Sequence, residues 1–185
     1  ERYESFDFEK LYAPVLDLMP KSPVRVADIG AGTGRDAAWL ADRGHTVVAV
    51  EPVRELREAG AGRHRSANIT WLDDRLPELA RLQSQEPFGM ILLCGVWQHI
   101  EEDARQVAMA ALGHIAADNG LLIMSLRHGP GAPGRCVFPI SPESTIAAAK
   151  RSGFDTVRQL KADSIQPENR AAGVCWTWLA LRKDG

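Results

Sequence analysis

The chain has 185 residues, 45% of them hydrophobic and 25% charged, with a formal net charge of −2. These are ordinary globular values for about one domain, and they exclude a disordered or fibrous chain. A near-neutral balance also supplies no global field for duplex nucleic acid or an anionic membrane. Cys94, Cys136 and Cys175 stand far apart without a C-x-x-C, so neither a disulfide framework nor a zinc site is expected. No apolar run approaches the roughly 18 residues of a membrane helix. The polar start Glu1-Arg2-Tyr3-Glu4-Ser5 does not read as a signal peptide, so a cytoplasmic setting is the expectation.

Phe8, Leu11, Tyr12, Val15, Leu16 and Met19 fall at helical spacing. They predict an amphipathic N-terminal helix interrupted at Pro14 and ended by Pro20-Lys21-Ser22-Pro23. Residues 24–29 read as a short strand that runs straight into glycines, followed by a helix over 35–43 that Gly44 stops. Thr46–Val50 is an uninterrupted β-branched strand of the kind buried on both faces. A helix near 53–59, a strand at 68–72, a helical turn around 76–82 and a strand at 89–93 continue the alternation. Ala104, Val107, Ala108, Ala111, Leu112 and Ile115 form a helical stripe within 101–117, and Asp118-Asn119-Gly120 is expected to close it before a strand at 121–125. Strands alternating with helices imply βαβ units, a parallel sheet and helices on both faces: an α/β, three-layer, doubly wound fold.

After Leu126 the rhythm changes. Residues 128–139 are a loop rich in Gly and Pro, and Gly129 to Pro139 form a candidate lid. Ser141 is a candidate N-cap, with Pro142 in the first turn of a helix that reaches about Ser152. Strands near 154–160 and 174–181, with no helix between them, imply antiparallel addition at the sheet edge. The stretch 174–181 is expected to be that exposed edge, leaving monomer and homodimer both open. The reading is one domain over 1–185, with a helical cap at 1–22, a cofactor-binding core at 23–126, and lid loop, helix and strand pair at 127–185.

Gly30-Ala31-Gly32-Thr33-Gly34 lies between the first strand and its helix, where glycines allow a tight turn and close approach of a ligand to backbone amides. A turn without a ligand fits the same pattern. A nicotinamide or flavin nucleotide fits less well, because its G-x-G-x-x-G fingerprint would place the third glycine one residue later, at Arg35. Glu51 ends the second strand, where a carboxylate meets ribose hydroxyls, and Asp73 and Asp74 end the third, where one meets an adenine amine.

Val26 to Gly34 and Val48-Ala49-Val50-Glu51-Pro52, with the strands at 88–93 and 121–123, resemble the class I S-adenosylmethionine-dependent methyltransferases. The resemblance covers about residues 24–126. It implies strand order 3-2-1-4-5-7-6 with the last strand antiparallel, and S-adenosyl-L-methionine as cofactor. It assigns Asp28, Gly30, Ala31, Gly32 and Gly34 to the methionyl part and Glu51 to the ribose. Pro52 or Val53 would pack on the adenine, and Asp73 or Asp74 would meet its amine. Cys94 and Gly95 would touch the amino end through backbone carbonyls.

Methyl transfer from a sulfonium needs alignment and shielding more than dedicated chemistry, so a base is required only for a protonated acceptor. His99 is the candidate, being the side chain after the fourth strand that could take a proton from an acceptor. Trp97, Arg127, His128 and Tyr3 are candidate substrate residues: Trp97 as a pocket wall or packed on the N-terminal helix, Arg127 and His128 for an anionic acceptor, Tyr3 with Phe6 and Tyr12 as a closing edge. Cys-Gly-Val-Trp after the fourth strand lacks the Asn/Asp-Pro-Pro-aromatic signature of nucleobase amino-methyltransferases, and no Asp-Asn pair suggests a catechol-type metal site. Arg54, Arg57, Arg63, His64 and Arg65 interleave with Glu55 and Glu58 and read as a solvated helix face rather than an RNA surface. A small-molecule methyltransferase is the leading reading. A nucleotide-dependent oxidoreductase and a cofactor-binding module without turnover are the alternatives.

Overall fold

The structure is a computed structural model that describes residues 4–131, 134 and 136–185. One mixed sheet contains β1 (Arg25–Ile29), β2 (Thr46–Val50), β3 (Ile69–Leu72), β4 (Phe88–Cys94), β5 (Ala116–His128), β6 (Phe154–Asp163) and β7 (Cys175–Lys183). Their order is β3-β2-β1-β4-β5-β7-β6. Strands β1 to β5 pair in parallel, while β7 runs antiparallel to both β5 and β6. The reversal of direction of strand addition between β1 and β4 opens a crevice at their carboxyl ends, where ligands bind in sheets of this kind.

Helices α1 (Phe8–Tyr12), α2 (Arg35–Asp42), α3 (Arg54–Arg63), α4 (Arg105–Ile115), α5 (Pro142–Arg151) and α6 (Pro167–Ala171) complete the described fold. Apolar side chains of the sheet divide into two cores. Phe8, Tyr12, Ala37, Leu40, Met90 and Leu92 build one with α1 and α2. Ile91, Leu93, Trp97, Met109, Leu112 and Phe154 build the other with α4 and α5. Among the described residues no helix is long and apolar enough to cross a membrane.

Several elements differ from the sequence pattern. The N-terminal stripe forms only the short α1 and a 3-10 turn at Leu16–Leu18 around Pro14. Stacking of Phe8 on Tyr12 and Trp39, rather than helix length, fixes it to the core. Residues 76–82 bury Leu76, Leu79 and Leu82 without a helix, because Leu79 takes φ 50° and the segment is held instead by the Asp74 carboxylate. The strand expected at 121–125 starts at Ala116: Phe88 pairs with Ala116 and Met90 with Leu121, so residues 117–120, with Asn119 at φ 59°, form an irregularity inside β5. A short helix, α6, stands between the last two strands. The outer strand is β6, whereas β7 lies inside the sheet. An apolar run such as Trp178–Leu181 is buried on both faces, which suits an interior position.

Candidate active site

A cleft of about 780 Å³ opens over the carboxyl ends of β1, β2 and β4 and the segment after β3. That volume is within the roughly 300–1,000 Å³ typical of small-molecule sites. The glycine loop forms its floor. Gly30 and Ala31 both donate backbone N–H groups to the Val50 carbonyl, at 2.8 and 2.9 Å, which folds the loop back over β2. Gly30 has φ 74°, and a Cβ there would lie 2.5 Å from Val96 Cγ2. Beside Gly32 there is open space within 4 Å, so its backbone can be approached from the cleft. Gly34 differs from the expectation: it caps α2 at φ 87° and faces the Trp71 ring, 2.7 Å from where its Cβ would be, outside the cleft lining.

Glu51 is buried at the tip of β2. Its two carboxylate oxygens accept from Gly32 N at 2.8 Å and Val53 N at 2.9 Å, tying the glycine loop to the start of α3. Pro52, Val53 and Leu56 continue the same wall, with Val53 and Leu56 exposed apolar side chains. The pair after β3 separates cleanly. Asp74 lines the cleft and accepts from Arg75 N, Arg81 N and Leu82 N. Asp73 is exposed, pairs with Arg57 at 3.3 Å and lies outside the cleft lining, because alternation along the strand end turns it to the other side.

Asp28 is 3% exposed on the cleft floor, and its Oδ2 has no hydrogen-bond partner among the described residues. Burial, reinforced by the neighbouring Asp36 carboxylate, pushes its carboxyl well above the usual aspartate range. Tyr12 donates its hydroxyl to Asp36 at 2.7 Å, and Arg35 Nε donates to the other Asp36 oxygen at 2.6 Å. Burial also raises the Tyr12 phenol well above its ordinary value. For Arg35 burial opposes the charge, but the Asp36 carboxylate overcomes it and holds the guanidinium above its usual pKa. Cys94 closes this end: burial lifts its thiol to about 11, so it is a neutral packed group. Ser125 Oγ accepts from Gly95 N at 2.8 Å and fixes the turn that follows.

His99 is exposed at the cleft mouth. Its Nδ1 is 2.8 Å from the Cys136 carbonyl and its Nε2 is 3.3 Å from the Gln98 amide nitrogen. A carbonyl only accepts, so Nδ1 carries the proton of the neutral ring and Nε2 keeps its lone pair. The remaining expected substrate residues lie elsewhere. Trp97 is fully buried in the core with α4 and α5, because β4 ends by turning that ring beneath the sheet, and it neither lines the cleft nor meets α1. Arg127 and His128 line a second, smaller hollow, since β5 extends past the cleft before it ends. Tyr3 lies outside the described residues.

Sequence reasoning missed Arg35, Asp36, Val96 and Ile100, which also line the cleft. A signal was present for Asp36. It stands on the same helical face as Leu40, so a carboxylate occupies the buried register of α2.

An α/β sheet of this order, with a glycine loop and acidic strand tips around one crevice, defines a Rossmann-like, doubly wound fold. The family model for the methyltransferase domain matches residues 26–120, and the chain belongs to that family. An uncharacterized methyltransferase of Staphylococcus carnosus is 29% identical over 101 residues, or 54% of this chain and 45% of the relative. The chain thus spans just under half the length of that curated relative. Among solved structures, the 1,6-didemethyltoxoflavin-N1-methyltransferase of Burkholderia thailandensis, with 1,6-didemethyltoxoflavin and S-adenosylhomocysteine bound, has a TM-score of 0.70 at 20% identity, covering 94% of this chain and 76% of that one. A TehB-like S-adenosylmethionine-dependent methyltransferase from Corynebacterium glutamicum has a TM-score of 0.70 at 17% identity, covering 100% and 92%. Magnesium protoporphyrin IX methyltransferase of Synechocystis with bound S-adenosylmethionine has a TM-score of 0.72 at 14% identity, covering 95% and 77%. At these identities the structures share the fold.

Proposed function

We propose that this chain is an S-adenosylmethionine-dependent methyltransferase acting on a small molecule, in a cytoplasmic setting. The observation that carries the reading is the unpartnered, buried Asp28 Oδ2 on the floor of a cleft that also exposes the glycine-loop backbone and Glu51. A buried polar oxygen without a partner costs about 1–3 kcal/mol, and an ammonium group removes that cost. Asp28 would hold the amino end of the cofactor, Arg35 its carboxylate, Glu51 the ribose, and Pro52, Val53 and Leu56 the adenine. The edge of the adenine would meet Asp74 rather than Asp73. When bound, the cofactor would supply an activated methyl group for in-line transfer to an acceptor lone pair.

The chain's own part is to orient, exclude water and accept a proton. Val96, Ile100 and Leu76 give the cleft apolar walls. His99 Nε2 takes the proton of an acceptor that arrives protonated, with Nδ1 held by the Cys136 carbonyl throughout. Calorimetric titration with S-adenosylhomocysteine tests the cofactor reading. Saturable binding is expected, and its absence overturns the proposal. For a protonated acceptor, His99→Gln is expected to lower kcat by about 10²-fold or more with unchanged cofactor affinity. Unchanged turnover removes His99 from the chemistry.

A further inference from the structure

Tyr12 approaches the cleft from behind. It closes α1, is fully buried, and stands outside the cleft lining. Phe8 stacks on its ring at 4.1 Å between centroids, and Trp178 of β7 meets the ring tilted at 5.1 Å, so packing fixes the phenol. A buried hydroxyl needs a partner, and this one donates to Asp36 Oδ2 at 2.7 Å, across 24 residues of chain. The Cys94 thiol hydrogen-bonds the same phenol, which joins α1 to the end of β4 as well.

Asp36 lies buried in the first turn of α2, and its residue lines the cleft. Both of its carboxylate oxygens accept: Oδ2 from Tyr12 and Oδ1 from Arg35 Nε at 2.6 Å. The following residue, Ala37, gives a backbone hydrogen bond to Asp28, so one helical turn carries one acid of the cleft floor and ties the other. The amino-acid end of the cofactor brings both an ammonium and a carboxylate. Buried acids suit the first and repel the second, most strongly in a site poor in water. Hydrogen bonds to both oxygens spread the Asp36 charge onto its donors and weaken the field it sends into the cleft.

We propose that Tyr12 is a positioning residue for the carboxylate end of the cofactor: by donating to Asp36 Oδ2 it masks the charge of that acid, so that a zwitterionic ligand can lie beside it. The inference rests on the function proposed above. It gives α1 a part in cofactor recognition without any contact between Tyr12 and the cofactor.

The experiment is calorimetry with S-adenosylhomocysteine, its decarboxylated analogue, which keeps the amine, and methylthioadenosine, which lacks both groups. Tyr12→Phe keeps the ring and its packing and removes only the hydroxyl. It is expected to weaken S-adenosylhomocysteine about tenfold, the lower end for a hydrogen bond to a charged group, and to change the other two ligands by less than about twofold. In an Asp36→Asn background the same change is expected to cost S-adenosylhomocysteine less than about twofold, because the charge to be masked is gone. Equal losses for all three ligands mark a merely structural role and overturn the proposal. Unchanged S-adenosylhomocysteine affinity in Tyr12→Phe, or a tenfold loss that survives Asp36→Asn, overturns it too. The wild type alone supplies a further check that needs no variant to fold: S-adenosylhomocysteine is expected to bind more tightly than the decarboxylated analogue, and the reverse order shows Asp36 acting unmasked and overturns the proposal. Absence of S-adenosylhomocysteine binding to the wild type overturns the function proposed above and this inference with it, whereas binding indifferent to Tyr12→Phe overturns the inference alone.

Discussion

Glu51 commits both carboxylate oxygens to the chain, accepting from Gly32 N and Val53 N and so holding the glycine loop and the start of α3 in one piece. A carboxylate oxygen has a further lone pair, so the same atoms remain able to accept from hydroxyls in the cleft. Glu51→Ala is expected to weaken S-adenosylhomocysteine binding by about 1–3 kcal/mol, the range for hydrogen bonds to a charged group. Glu51→Gln, which keeps one oxygen, should lose less. Affinity unchanged in both variants by calorimetry would take Glu51 out of the site. Asp74 illustrates the opposite balance: three backbone donors already converge on its side chain, so its main work is to shape the segment after β3.

The joint between α2 and α3 depends on Trp71, whose ring lies where side chains on Gly34 and Gly60 would be. A Cβ at Gly60 would fall 2.2 Å from the ring and 2.9 Å from the Thr33 carbonyl. Gly60→Ala gains about 1 kcal/mol of helix propensity. It is nevertheless expected to lose up to about 2 kcal/mol net, because overpacking at such a contact costs about 1–3 kcal/mol and the Thr33 backbone carbonyl cannot retreat. Urea denaturation checks this, and a variant as stable as the parent would show that the indole moves freely. The elements most legible in the sequence were β1, β2 and β4, whose continuous apolar runs announce strands covered on both faces. The start of β5 was hidden because Asp118-Asn119-Gly120 carries turn chemistry while acting as an irregularity within a strand. The glycine loop and Glu51 were readable from local spacing. The positions of Trp97, Arg127 and His128 were not, since which way β4 and β5 deliver them depends on strand length and register, and these are set by distant partners.

For the molecule as a whole, the buried Asp28 carboxyl makes stability depend on pH in an unusual direction. Folded Asp28 has a raised pKa, so between the unfolded value of about 3.9 and that raised value the native state holds a proton that the unfolded chain has lost. Its contribution is therefore fully present at low pH and is lost as pH rises through the folded pKa. Asp17 and Glu143, lowered mainly by the Arg158 hydrogen bond and by backbone hydrogen bonding respectively, run the other way. The informative quantity is the difference in urea stability between wild type and Asp28→Asn. The wild type is expected to lose ground to the variant as pH increases across that window, and a difference independent of pH would show that Asp28 does not titrate there.

The placement of β7 between β5 and β6 has a bearing on synthesis. A chain emerging from the ribosome makes β6 before β7, its partner among the described residues, exists, so β6 waits with both margins bare. Eight residues of β5, from Leu121 to His128, wait in the same way for their antiparallel neighbour. Until the stretch Cys175–Lys183 clears the exit tunnel, one margin of β5 and both margins of β6 are adhesive surfaces, and this is the interval in which a chaperone has something to hold.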